Sequence, residues 1–143
     1  MATRAVIAKE QPNGQIKASY LHYDGYPEHA GAILSKHYTY EREIDELLSK
    51  GDISVLGENI GEKIDFSDFK LLHESKQCRF YHRDRNEKLN LEVLVEQCEL
   101  ETFGKDDCAA EYIYLFREGE WYVLGCSNDY ELLEERLTKL EVN

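Results

Sequence analysis

The sequence predicts an α+β fold in which two antiparallel β-hairpins form a sheet with helices packed on one face. Three observations lead there. Short β-type runs at residues 3–9 and 15–23 flank Gln11-Pro12-Asn13-Gly14. A second pair of runs, 111–116 and 121–126, flanks Arg117-Glu118-Gly119-Glu120. Between and after the pairs, apolar residues recur at helical spacing. With 143 residues, 42% of them hydrophobic, the chain has enough apolar mass for one core. Two prolines and no linker-like stretch then make residues 1–143 a single domain.

The elements follow in order. Asn13-Gly14 marks the first hairpin, because both residue types tolerate positive φ. Asp24-Gly25-Tyr26 breaks the sheet, and Pro27 suits the first position of a helix, where its missing N–H costs nothing. Ala30, Ile33, Leu34 and His37 then fall on one helical face. Thr39 is placed to cap a second helix, in which Tyr40, Ile44, Leu47 and Leu48 share a face and Gly51 terminates. Residues 52–68 read as short turns anchored by single apolar side chains. Strands are expected at 69–73 and 78–82, with a polar turn at 83–88. Leu91, Leu94, Val95 and Cys98 fit a helix, although Leu89, Leu91, Val93 and Val95 alternate as in a strand; the helix is preferred. Asn128 and Glu131 resemble a capping box opening a last helix buried through Tyr130, Leu133, Leu137 and Leu140.

Charge narrows the function classes. Seventeen basic against 29 acidic side chains leave a formal charge of −12. Nucleic-acid affinity rests on cations that displace condensed counterions, so direct DNA or RNA binding is not expected, nor is docking on an anionic membrane. A protein partner with a basic surface fits the sign, although plain solubility accounts for it too. No apolar run reaches the ~20 residues that span a bilayer, and the first residues lack the apolar stretch of a secretory leader. Cys78, Cys98, Cys108 and Cys126 are too far apart for a metal knuckle and read as buried thiols of a reducing compartment, the cytoplasm.

Two polar clusters are candidate sites. In the first, around His22, Asp24, Tyr26 and Glu28, an extended strand would put His22 and Asp24 on one face, the pairing of general-base chemistry. The same spacing serves an Asx-turn at Asp24 and a hydrogen bond across the hairpin from His22. In the second, around Arg83, Asp84 and Arg85, the three cations Arg79, Arg83 and Arg85, with His82 among them, form a local positive spot whose guanidinium forks suit carboxylate or phosphate. Surface ion pairing explains these residues equally well. The five histidines show no metal-ligand spacing, and phosphate-cradling loops and nucleophile elbows are absent from the sequence. No metal and no cofactor is expected, and no catalytic residue is assigned. Acidic runs at Glu41, Glu43, Asp45 and Glu46 and at Glu131, Glu134 and Glu135 form two further candidate faces. Carboxylates on a rigid surface can stand in for DNA phosphates in a basic channel, and solvated helix faces give the same string.

The string Tyr20-Leu21-His22-Tyr23-Asp24-Gly25-Tyr26-Pro27-Glu28-His29 resembles the H-[WY]-D-G-Y-P-E signature of a family of small proteins common in phage and prophage genomes. The stretches 37–38, 51–58, 81–85, 111–116 and 121–123 are similar to the same family. Both polar clusters coincide with these motifs. The resemblance implies a setting, the host bacterial cytoplasm, rather than an activity. Together with the charge it leads to a non-enzymatic acidic protein that binds and modulates a host protein. The sharpest version is an inhibitor of a host defence nuclease or another nucleic-acid-binding protein, working as a DNA mimic. The alternative is a domain binding a nucleotide or phosphorylated metabolite through His22, Asp24 and Tyr26 with Arg83 and Arg85. A hydrolase built on His22 and Asp24 ranks last, since no nucleophile accompanies them.

Overall fold

A computed structural model describes residues 3–63, 68, 70, 74, 76–88, 93–96, 100, 104–105, 109–125 and 130–142. The α+β class holds, and the sheet is larger than two hairpins. Its strands are β1 (Ala5–Glu10), β2 (Gln15–Tyr23), β3 (Ile53–Val55), β4 (Arg79–Phe80), β5 (Val93–Glu96), β6 (Tyr112–Arg117), β7 (Glu120–Leu124) and β8 (Glu131–Leu132). They lie in the order β4-β3-β2-β1-β6-β7-β8, with β5 also paired to β2. β1 and β2 are antiparallel, as are β6 and β7, but β1 joins β6 in parallel and β2 joins β3 in parallel. The sheet is therefore mixed, with the two antiparallel pairs joined to each other in parallel.

Both faces of the central strands are buried, as parallel pairing in a sheet centre demands. On one face Ala5, Ile7, Leu21, Tyr114 and Phe116 form a core with helix residues Leu34, Ile44, Leu47, Leu48 and Leu133. On the other, Val6, Ala8, Ile16, Ala18, Ile113 and Leu115 are covered by Leu100, Ala110 and Tyr130. The named helices that contribute to these cores, α1 (Ala32–His37), α2 (Glu41–Ser49) and α4 (Leu133–Val142), do pack on one face, but the second face is closed as well.

Local chemistry explains several departures from expectation. In the first hairpin the Gly14 N–H donates to the Gln11 carbonyl at 2.9 Å, and only Gly14 of the Asn-Gly pair has positive φ. Pro12 and Asn13 thus occupy the centre of a type I turn, the geometry Pro favours. Pro27 opens a π-type turn, Pro27–Gly31, that runs into α1. Tyr40, not Thr39, precedes α2, and no side chain caps that helix; Glu41 and Glu43 in its first turn meet the exposed N–H groups electrostatically. Residues 53–55, expected as turns, form β3 beside the end of β2.

The expected strand at 78–82 stops at Phe80, and α3 (Tyr81–Arg85) replaces the polar turn. The Asp84 carboxylate accepts the Phe80 N–H at 2.9 Å, which closes the chain into a helical turn. The preferred helix is also overturned at the described residues 93–96, which are strand β5, antiparallel to residues 15–18. β2 is nine residues long and β3 meets only its far end, so its first half leaves an edge for β5 to satisfy. Glu131 lies in β8, ahead of α4, and Tyr130 packs on the face opposite that helix. Of the expected strand at 69–73 only Lys70 is described, and it is helical, against that expectation; Asn128 and Cys98, Cys108 and Cys126 lie outside the described residues, and Leu140 is described in its backbone only.

Candidate functional site

The first polar cluster sits where β2 leaves the sheet. Asp24 is not on the strand: its φ of 55° turns the chain in the left-handed region. His22 and Asp24 therefore do not share an extended face, and His22 Nδ1 is hydrogen-bonded at 2.6 Å to the hydroxyl of Tyr20 instead. That partner lies on the same strand, not across the hairpin. Gly25 follows with its N–H donating to the Thr3 carbonyl at 2.8 Å. A Cβ on Gly25 would stand 2.7 Å from both the Ala5 Cβ and the Thr3 oxygen, so only glycine fits. The buried Tyr114 hydroxyl donates to the Gly25 carbonyl at 2.6 Å, and Pro27 is buried beyond it. Asp24, Tyr26 and Glu28 are exposed. The Asp-Gly-Tyr-Pro string is thus a turn that locks the start of β1 to the first helix.

The second cluster is a clasp. An Arg guanidinium carries five N–H donors, and in Arg83 each has an acceptor. Nε donates to Asp84 Oδ1 at 2.9 Å and Nη2 to Asp84 Oδ2 at 3.1 Å. Nη2 also reaches the Cys78 carbonyl at 3.0 Å, while Nη1 reaches the carbonyls of Ile60 and Gly61 at 2.8 and 3.1 Å. The guanidinium stacks over the Phe80 ring at 4.7 Å, and the Asp84 side chain is fully buried. Arg85 instead points outward and pairs with Glu87 at 3.1 Å. One ring contact joins the two segments: the His22 ring, 4.4 Å from its neighbour Tyr23, lies 6.3 Å from Tyr81 at the start of α3. Burial, and then the nearby Arg4 charge, lower the His22 pKa, which favours a neutral imidazole among tyrosines. Beneath this surface the Cys78 thiol accepts the Gly57 N–H at 3.2 Å and lies 3.2 Å from the Tyr38 hydroxyl. Burial pushes that thiol's pKa up, the state of an inert structural cysteine.

At the opposite end of the sheet the acidic residues converge. The β6–β7 loop is Glu118-Gly119, with φ of 52° and 81°, the tight hairpin geometry whose twist matches its strands. This turn divides two clefts. One, of about 240 Å³, is lined by Glu118, Glu10 at the end of β1 and Glu41 at the start of α2. The other, of about 380 Å³, lies between Glu120 and Trp121 of β7 and Leu133 and Glu134 of α4, with Ser35 and Thr39 on a third side. Among the described residues, Glu41, Glu118, Glu120 and Glu134 are in no ion pair. The one basic lining residue, Lys9, is buried and held by Asp45 at 3.0 Å.

The sequence-predicted acidic faces therefore split. Glu41 and Glu134 reach the clefts; Asp45 is committed to Lys9, and Glu131 to Arg136 at 3.2 Å. Glu46 and Glu135 are exposed and Glu43 is half-buried on their helices, outside both clefts. Glu10, Glu118, Glu120 and Trp121 were not among the predicted residues. The Glu-Gly turn signal was legible for two of them, but nothing local in the sequence brings α1, α2 and α4 to that turn. Among the described residues no group of His, Cys, Asp and Glu side chains is arranged to hold a metal. No described helix is long and apolar enough to cross a membrane. Compared with known protein families, with curated proteins and with solved structures, the chain matches none.

Proposed function

We propose that this chain is a non-enzymatic acidic binding protein that engages a protein partner with a basic surface through the end of the sheet around the β6–β7 turn. The observation that carries the reading is that Glu41, Glu118, Glu120 and Glu134, none of them in an ion pair among the described residues, line two adjoining clefts, beside which Arg117 is drawn to Glu10 at 3.9 Å. A hairpin and two helix starts fix the backbone that carries these carboxylates, so association has only their side-chain rotamers to order. Their combined field, in a chain of charge −12, steers cationic surfaces in and repels nucleic acid.

In the setting that the H-Y-D-G-Y-P-E string suggests, the partner is a host protein whose basic surface handles nucleic acid, a defence nuclease being the sharpest case. The chain would then occupy the place of phosphates. The alternative, a phosphorylated ligand at Arg83 and Arg85, requires guanidinium donors that Arg83 already spends on protein acceptors.

Affinity capture from bacterial lysate at low and high salt, followed by elution with duplex DNA, tests the proposal. The expected result is a basic nucleic-acid-binding protein that DNA displaces, that high salt releases, and that the quadruple variant Glu41→Gln, Glu118→Gln, Glu120→Gln, Glu134→Gln no longer captures. Capture that persists in high salt and in the quadruple variant would overturn it.

A further inference from the structure

We draw no further inference here: the strongest candidate, the surface patch of the exposed Tyr23 ring backed by His22 and Tyr81 where β2 meets α3, is an aromatic face, and nothing in the structure shows what covers it.

Discussion

At the scale of single residues, the side chains that looked chemical in the sequence are bound into the fold. Arg83 and Asp84 satisfy each other and four backbone groups at a buried junction. Arg83→Ala would strand the buried Asp84 carboxylate, so we expect a loss of about 3 kcal/mol or more in urea unfolding. Arg83→Lys should recover only part of it, because an ammonium cannot reproduce the fork. Wild-type stability in Arg83→Ala, with lost affinity for phosphorylated compounds, would make Arg83 ligand-facing after all. Tyr114→Phe leaves the Gly25 carbonyl without its buried donor, at an expected cost of about 1–3 kcal/mol by the same measurement. His22 supplies a pH signature. Its folded pKa lies below the ordinary 6.5 because burial and Arg4 disfavour the imidazolium. Its contribution is therefore complete above the unfolded pKa, where both states are neutral. It is lost as pH falls through that value, since the unfolded chain takes the proton first. Between about pH 7.5 and 5.5, wild type should lose more stability than His22→Asn. Equal losses would show that His22 titrates alike in both states.

At the scale of elements, most of the local signals were readable. Alternation and turn chemistry placed β1, β2, β6 and β7, and Ile44, Leu47 and Leu48 marked the buried stripe of α2. The failures occurred where a partner, not a propensity, decided the state. Residues 93–96 have both helical and alternating spacing, and the open edge of β2 selected the strand. Residues 81–82 read as the end of a strand and 83–85 as a turn until Asp84 folds back on Phe80. The β6–β7 turn is the element on which the proposed site depends. A Cβ on Gly119 would meet nothing within 4 Å, so the demand there is conformational and not steric crowding. We expect Gly119→Ala to cost about 1 kcal/mol through its positive φ, and to weaken partner binding by tilting Glu118 and Glu120. An unchanged midpoint in urea would show that the turn relaxes into another geometry.

At the scale of the whole molecule, the sheet separates two surfaces. One end carries His22, Tyr23 and Tyr81 beside the Arg83 clasp; the other carries the carboxylate clefts. Because charge is exposed at the acidic end, partner affinity there should fall steeply with salt. Screening shortens the reach of a charge from ~10 Å at 0.1 M to ~3 Å at 1 M. The slope should be shallower in the quadruple glutamine variant, read by titration of the captured partner at several ionic strengths. An identical slope would place the contact elsewhere on the molecule.

By itself the sequence determined the class, the strand character of β1, β2, β6 and β7, the amphipathic helix and the sign of the charge. Each is a property of neighbours along the chain: period, turn residue, or a simple sum. Tertiary structure alone decided that β1 and β6 pair in parallel, that Arg83 faces inward, and that Glu41, Glu118, Glu120 and Glu134 gather at one end. Those outcomes depend on which distant segments share an edge or a core, and no local pattern encodes a contact between Gly25 and Tyr114, 89 residues apart.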